Sequence, residues 1–414
     1  MDPRFSLTLV GLSHRTASVA VREQYVVSQG DVPGCLRALK ATEGVCEAFV
    51  LSTCNRTEVL VIGERGRDLS SPVRTQVFRN LGAEHLYAYE DVQALIHFYR
   101  VASGLDSLVL GESEILGQIK RGMELAQAEK TLGSTLQALL QQALHTGKRV
   151  RTETPVGQGT LSVARVGVDV AARVFGPFNS VSTLIVGAGE TGILVARHMK
   201  GAGAKELSFA NRTLARAENA AHEFGGKAWP LDLLSEATRG ADLVVACVEA
   251  SEFAVTPAHF DAKSLKRRDR PMLVVDLSIP RAVDPAVTQL PNVLLYDMDD
   301  LGKVVRENKQ GRDLAVEGTA EILVSELHKY LAGRAYAAFG PAIATLRQRF
   351  ETVRDEVLDS IAGAKSDPKD VQLAHELTKR LMDVAMAQMK EGARSTRSEE
   401  ALDREYQRFL DHLG

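Results

Sequence analysis

The apolar run Thr183-Leu184-Ile185-Val186 leads into Gly187-Ala188-Gly189-Glu190-Thr191-Gly192 and then into a helical pattern from Ile193 to Lys200. A strand, a G-x-G-x-x-G turn and an opening helix leave this part of the chain little choice of local fold. Gly187 permits the tight turn, Gly189 lets backbone approach a pyrophosphate, Gly192 lets helix pack on strand, and the helix N-terminus offers amide donors. Ala188, Glu190 and Thr191 complete the cofactor-binding loop. Further apolar runs at Leu207 to Ala210, Asp242 to Val248, Met272 to Asp276 and Val293 to Tyr296 alternate with helical segments, which predicts a parallel, doubly wound, Rossmann-like sheet. After the second strand, where an acidic residue would meet the ribose hydroxyls of NAD, stand Asn211-Arg212-Thr213. Arg212 can clamp or stack on a 2′-phosphate that a carboxylate would repel, so NADPH is the expected cofactor. Taken alone, Arg212 also reads as a solvated surface charge.

A second motif lies far upstream. Ser52-Thr53-Cys54-Asn55-Arg56-Thr57-Glu58 is a polar run between Ala48-Phe49-Val50-Leu51 and Val59-Leu60-Val61-Ile62. The pattern predicts a strand, a turn carrying Cys54 and a returning strand. A structural cysteine would sit in the apolar runs instead, and Arg56 can favour the thiolate, which is the nucleophile. A surface turn with an incidental cysteine is the bland alternative. Further on, the stretch Ile96 to Glu112 offers a proton-handling group at His97 and polar contacts at Ser107, Glu112 and, a little beyond it, Gln118, although His97 by itself also fits a hydrogen-bonded core histidine. A thiol beside a hydride carrier interconverts carboxyl-level and aldehyde-level carbon in two easier steps.

Charge and cysteine usage narrow the class. Fifty basic against 53 acidic residues give a net charge of -3, which is no global field for nucleic acid. Local clusters at Lys148-Arg149-Val150-Arg151 and from Lys263 through Arg270 could meet phosphates, but such runs are usually solvated faces. Cys35, Cys46, Cys54 and Cys247 form neither a C-x-x-C pair nor a zinc-like cluster, so a reduced, cytoplasmic protein without a structural or catalytic metal is expected. No apolar run suits a membrane span, and the N-terminus lacks signal-peptide character.

With 414 residues, two or three domains are expected. Three territories separate: residues 1–155, which read as α+β; residues 156–297, the nucleotide-binding part; and residues 298–414, where strand signals stop. In the last, a helix runs from about Asp299 to Phe339 before Gly340-Pro341 forces a break. Apolar stripes follow at Ile343, Leu346, Phe350, Val353 and Val357, at Leu373, Leu377, Leu381 and Val384, and at Leu402, Tyr406 and Phe409. Three such helices lack a large core of their own, which suits pairing with a second copy; a bundle within one chain is the alternative.

Gly11-Leu12-Ser13-His14-Arg15-Thr16-Ala17, Ser52 to Glu58, Val101 to Gln118, Lys148 to Thr154 and Gly187 to Gly192 together resemble the glutamyl-tRNA reductase family in sequence, order and separation, over roughly residues 5 to 330. The resemblance implies an α/β multidomain protein: an N-terminal α+β catalytic domain, a Rossmann-like NADP-binding domain and a C-terminal all-helical dimerisation domain joined by a long helix. It implies NADPH-dependent reduction of glutamyl-tRNA to glutamate-1-semialdehyde through a thioester on Cys54, the first step toward 5-aminolevulinate and tetrapyrroles. By the same resemblance His97 is important for activity, and Thr53, Asn55, Arg56, Ser107, Glu112, Ser113, Glu114, Gln118 and His14 fall on substrate-pocket positions. A homodimer and the aminomutase that consumes the aldehyde are the partners it implies.

Departures from the pattern are Ser18 after Thr16-Ala17, Ser113-Glu114 before Ile115-Leu116-Gly117-Gln118, Ala282 in place of a common aspartate, and Leu381 to Ala387 in place of an L-L-H-x-P segment. Two rival readings stay open on the residues: an NADP-dependent dehydrogenase of a free small molecule, and a non-catalytic dimeric adaptor that binds nucleotide. The first predicts turnover without Cys54, and the second predicts NADPH binding without acyl transfer.

Overall fold

The computed structural model describes residues 4–108, 111, 114–154, 156, 162–248, 252–261, 265, 270–307, 312–338, 340–362 and 368–395. Glu112, Ser113, the third C-terminal stripe and most of the cluster from Lys263 through Arg270 therefore lie outside the described residues. The chain divides into two bodies. One comprises Leu7–Gly63 with Arg67–Thr319, and the other Met1–Ser6, Glu64–Gly66 and Ala320–Gly414.

In the first body, the N-terminal part is built on a four-stranded sheet of β1 (Phe5–Ser13), β2 (Val45–Ser52), β3 (Arg56–Glu64) and β4 (Tyr87–Glu90), in the order β2-β3-β1-β4. The expected hairpin is present: β2 and β3 are antiparallel and Ser52 faces Thr57, so the turn holds Thr53, Cys54 and Asn55. Six helices accompany the sheet: α1 (Val19–Arg22), α2 (Val32–Lys40), α3 (Ser70–Val77), α4 (Asp91–Ala102), α5 (Glu114–Ala128) and α6 (Ser134–Glu153). Because α2, α5 and α6 pack along β2, its Ala48, Phe49, Val50 and Leu51 are all buried.

The doubly wound sheet follows as β5 (Thr183–Val186), β6 (Leu207–Asn211), β7 (Ala228–Pro230), β8 (Leu243–Ala246), β9 (Met272–Asp276) and β10 (Val293–Tyr296). Its order is β10-β9-β8-β5-β6-β7, with every pairing parallel. Strand order reverses at β5, and ligands of such sheets bind at that switch point. Alternate residues of one strand serve two cores: Ile185, Phe209, Val245 and Val275 face one, Leu184, Ala210, Val244 and Val274 the other. Burial on both faces explains the continuous apolar runs. Helices α7 (Val163–Phe175), α8 (Glu190–Gly201) and α9 (Leu214–Phe224) contribute to the first core, α10 (Leu234–Thr238) to the second.

Helices α11 (Met298–Glu307) and α12 (Arg312–Ala338) occupy the span expected as one helix, with residues 308–311 outside the described set. In the second body α13 (Gly340–Ala362) packs on α14 (Pro368–Ser395), and Phe339, next to the expected Gly-Pro break, lies outside the described residues. Leu373, Leu377, Leu381 and Val384 of α14 are exposed in the single chain, between 47% and 69%. Among the described residues no helix is long and apolar enough to cross a membrane.

Candidate active site

The Cys54 turn is self-braced. Thr53 N–H donates to Arg56 O at 2.8 Å, and Thr53 Oγ1 accepts from the amides of Asn55 at 3.1 Å and Arg56 at 3.2 Å. Asn55 O in turn receives the His14 amide at 2.9 Å, which docks the β1–α1 loop onto the turn. Cys54 itself is half-buried and packs against a hydrophobic cluster that joins Val19 and Leu108 of the N-terminal part to the nucleotide-binding part.

Under the turn lies a buried ionic network. Arg56 and Glu58 are two apart on β3, hence on the same face. Arg56 Nη1 donates to Glu58 Oε1 at 2.8 Å and to Asp106 Oδ2 at 3.0 Å, while Nη2 donates to the Asp106 carbonyl. The guanidinium is thus committed to two carboxylates beneath the turn and offers no open fork beside the thiol. Glu58 Oε1 also accepts from Tyr87 Oη at 2.6 Å and pairs with His97 Nε2 at 2.7 Å. Burial would raise the Glu58 carboxyl, but the neighbouring Arg56 charge and His97 bring it down to about 2. Asp106 follows the same balance, burial against Arg56 and Arg15, and also sits at about 2. An ionised Glu58 only accepts, so the proton of the His97–Glu58 bond belongs to Nε2. Tyr87 and Tyr89 flank the ring with centroids at 5.0 and 4.8 Å.

His14 is held differently. Burial, then the Arg56 charge, lowers its pKa to about 3, so the imidazole is neutral at pH 7, and its buried Nδ1 has no hydrogen-bond partner among the described residues. Ser107 is buried beside Asp106, and Glu114 and Gln118 are half-buried one turn apart on α5. Burial first, then the charge of Glu190, raises the Glu114 carboxyl. That influence puts Glu114, at the start of α5, within electrostatic reach of the glycine loop. Among the described residues no cluster of His, Cys, Asp and Glu suits a metal ion.

The loop after β5 fits a dinucleotide. Gly187 has φ +112°, and a Cβ there would lie 2.3 Å from Cys247 O; one on Gly192 would lie 2.1 Å from Gly187 O. A Cβ on Gly189 would meet nothing within 4 Å. The protein's own packing therefore demands the first and third glycines and leaves space at the second, where backbone must approach pyrophosphate. Gly189 is the N-cap of α8 and no side chain caps that helix, whose first turn is Glu190, Thr191 and Gly192. Asn211 Oδ1 accepts from Ala188 N–H at 3.3 Å and its Nδ2 donates to Thr213 O at 2.9 Å. Asn211 thereby shapes the loop, while Arg212 and Thr213 are exposed at its rim.

Three family models match in succession: the N-terminal domain of glutamyl-tRNA(Glu) reductase over residues 10–154, shikimate / quinate 5-dehydrogenase over 169–304, and the dimerisation domain of glutamyl-tRNA(Glu) reductase over 319–413. The glutamyl-tRNA reductase of Trichlorobacter lovleyi is 37% identical over 413 residues, covering 96% of this chain and 94% of that protein. The chain belongs to the glutamyl-tRNA reductase family. It is an oxidoreductase. Another family member, from Magnetococcus marinus, is 35% identical over 96% of both chains. The solved glutamyl-tRNA reductase of Methanopyrus kandleri is 27% identical, covers 100% of this chain and 99% of that one, and aligns with a TM-score of 0.47.

Sequence reading of this family member did not single out Glu58, Asp106 or Tyr87 as site residues. Glu58 carried a signal, since a carboxylate two residues from an arginine at the head of an apolar strand is set to be buried with it. Asp106 carried none, because its partner lies 50 residues away. The Lys148–Arg151 cluster is partly used internally: Arg149 pairs with Glu153, and Arg151 donates to Gly111 O.

Proposed function

We propose that this chain reduces the glutamyl group of glutamyl-tRNA to glutamate-1-semialdehyde, with NADPH as hydride donor and a Cys54 thioester as intermediate. The observation that carries the reading is the packing of Cys54 against a hydrophobic cluster shared by the N-terminal and nucleotide-binding parts, within the same body as a glycine loop shaped for pyrophosphate. Cys54 as thiolate attacks the ester carbonyl, the carbon–oxygen bond to tRNA breaks, and the tRNA hydroxyl leaves with a proton. Gly187 to Gly192 would hold NADPH, with Arg212 available to its 2′-phosphate and Asn211 and Thr213 shaping the rim, and the bound cofactor would supply the hydride. Collapse at the reduced carbon expels the Cys54 thiolate and leaves the aldehyde. His97, its Nε2 pinned by Glu58, takes and returns protons through Nδ1.

Thr53, Asn55, Ser107, Gln118 and His14 form the glutamyl pocket in this reading, with Glu114 at its nucleotide-facing side; Glu112 and Ser113 belong to the pocket by family resemblance. Arg56 contributes its charge through the buried network. The division is 1–155 catalytic, 156–297 NADP-binding and 298–414 connecting and dimerising, in a cytoplasmic homodimer that passes its aldehyde to an aminomutase.

The test is peptide mass analysis after mixing the protein with glutamyl-tRNA and no NADPH. A glutamyl adduct on Cys54 is expected from the charged tRNA and not from free glutamate. NADPH added afterwards should release the aldehyde, and NADH much less. Turnover that survives Cys54→Ala would overturn the thioester route in favour of a dehydrogenase of a free substrate.

A further inference from the structure

Two adjacent residues of opposite charge close the N-terminal part onto the nucleotide-binding part. Arg22, at the end of α1, is 2% exposed, and its Nη1 donates to Ala17 O at 2.8 Å and to Asp299 Oδ1 at 3.0 Å. Among the described residues its buried Nε and Nη2 have no partner, so burial of this charge leans on Asp299. The other Asp299 oxygen accepts the Val19 amide at 2.8 Å. Glu23 takes Arg281 side-on, Nε to Oε2 at 2.9 Å and Nη2 to Oε1 at 2.6 Å, and also accepts the Arg281 amide at 3.1 Å. Both side chains of that pair are only 18% exposed. A bidentate pair of this kind is stronger and more directional than an open surface contact.

Arg281 is itself a fixed prong. Asp276, at the end of β9, accepts the amides of Ser278, Ala282 and Val283, each at 2.9 Å, and so folds the loop that carries it. Arg22–Asp299 and Glu23–Arg281 thus join segments 277 and 258 residues apart, at the junction where Val19 enters the hydrophobic cluster of the nucleotide-binding part, against which Cys54 also packs.

We propose that these two pairs are positioning residues for the reductive half of the reaction: they hold the nucleotide-binding part against the Cys54 turn. The inference rests on the proposed function for its catalytic consequence. Acyl transfer uses groups of the N-terminal part alone, whereas hydride transfer needs donor and thioester carbon within about 3–3.5 Å. Loosening the junction therefore slows reduction and spares acylation.

The experiment compares the full-length protein with Glu23→Arg, Arg281→Glu and the charge-swapped double variant. The first readout is independent of turnover: the rate at which N-ethylmaleimide labels Cys54, resolved from the other cysteines by peptide mass analysis. Each single variant should label roughly 5–30 times faster, the range for weakening closure by a half-buried ion pair, and the double variant should return toward the parent rate. In the same variants Cys54 acylation by glutamyl-tRNA should persist while aldehyde formation falls, with recovery in the double variant. Unchanged labelling in both single variants overturns the proposal. So does faster labelling that the swap fails to reverse, or a parallel loss of acylation and reduction. If the parent protein takes up no glutamyl group, the functional reading falls, while the labelling arm still judges the ion pairs.

Discussion

Glu58 Oε1 meets the Arg56 guanidinium, the Tyr87 hydroxyl and the His97 ring within 2.8 Å, in a residue that is 0% exposed. Removing one partner of such a buried ionic group leaves an uncompensated charge, which costs about 3–5 kcal/mol. Glu58→Ala should lose that much in urea unfolding at pH 7. The network also sets a pH limit. Glu58 and Asp106 sit at about 2 against ordinary values of 4.5 and 3.8, so the native state binds fewer protons than the unfolded chain at mildly acidic pH. Their stabilisation is complete above about pH 5 and is lost as pH falls toward 2. The urea midpoint should drop steeply through that window, and less so in a chain carrying Glu58→Gln. A midpoint that stays level from pH 5 to pH 3 would show that the network is not ionised as described.

At the scale of elements, the glycine loop separates what the fold needs from what a cofactor needs. Gly192 has no room for a methyl group and Gly189 has it to spare. Gly192→Ala should destabilise the protein by about 1–3 kcal/mol, since overpacking forces backbone to move. Gly189→Ala should leave the melting temperature nearly unchanged and abolish NADPH binding in a fluorescence titration, because the added carbon occupies the approach to the pyrophosphate. Normal NADPH affinity in Gly189→Ala would remove the loop from the binding site. The same scale shows why some elements were legible in sequence and others were not. β5 and the Cys54 hairpin announce themselves by unbroken apolar runs with turn residues between them. β4 and β7 do not: they have four and three residues, lie at sheet edges and are only partly buried, and β7 ends on Pro230, which only an edge tolerates.

For the molecule as a whole, the C-terminal body leaves a stripe at Leu373, Leu377, Leu381 and Val384 facing solvent, continued by Val353 at 41% and Val357 at 47% exposure on α13. The stripe falls inside the segment that matches the dimerisation domain, residues 319–413. Burying such a row on a second copy is worth more than leaving it wet. Replacing Leu377 and Leu381 by Asp should halve the molar mass in light scattering while the N-terminal body retains Cys54 acylation. An unaltered dimer in that variant would place the interface elsewhere on the chain.

What the sequence by itself determined is whatever depends on neighbours within a few residues: the hairpin that presents Cys54, the strand–turn–helix around Gly187 to Gly192, the helical periods of α13 and α14, and the family to which the motifs belong. Tertiary structure alone decided that Arg56 is spent on Glu58 and Asp106, that Glu114 stands near Glu190, that Asn211 braces the loop, and that Arg22 and Glu23 clasp Asp299 and Arg281. The reason is physical. Periodicity and turn chemistry report which face of a segment is buried, whereas the partner of a buried charge is chosen by how distant segments pack, and one sequence of local signals carries no record of that choice.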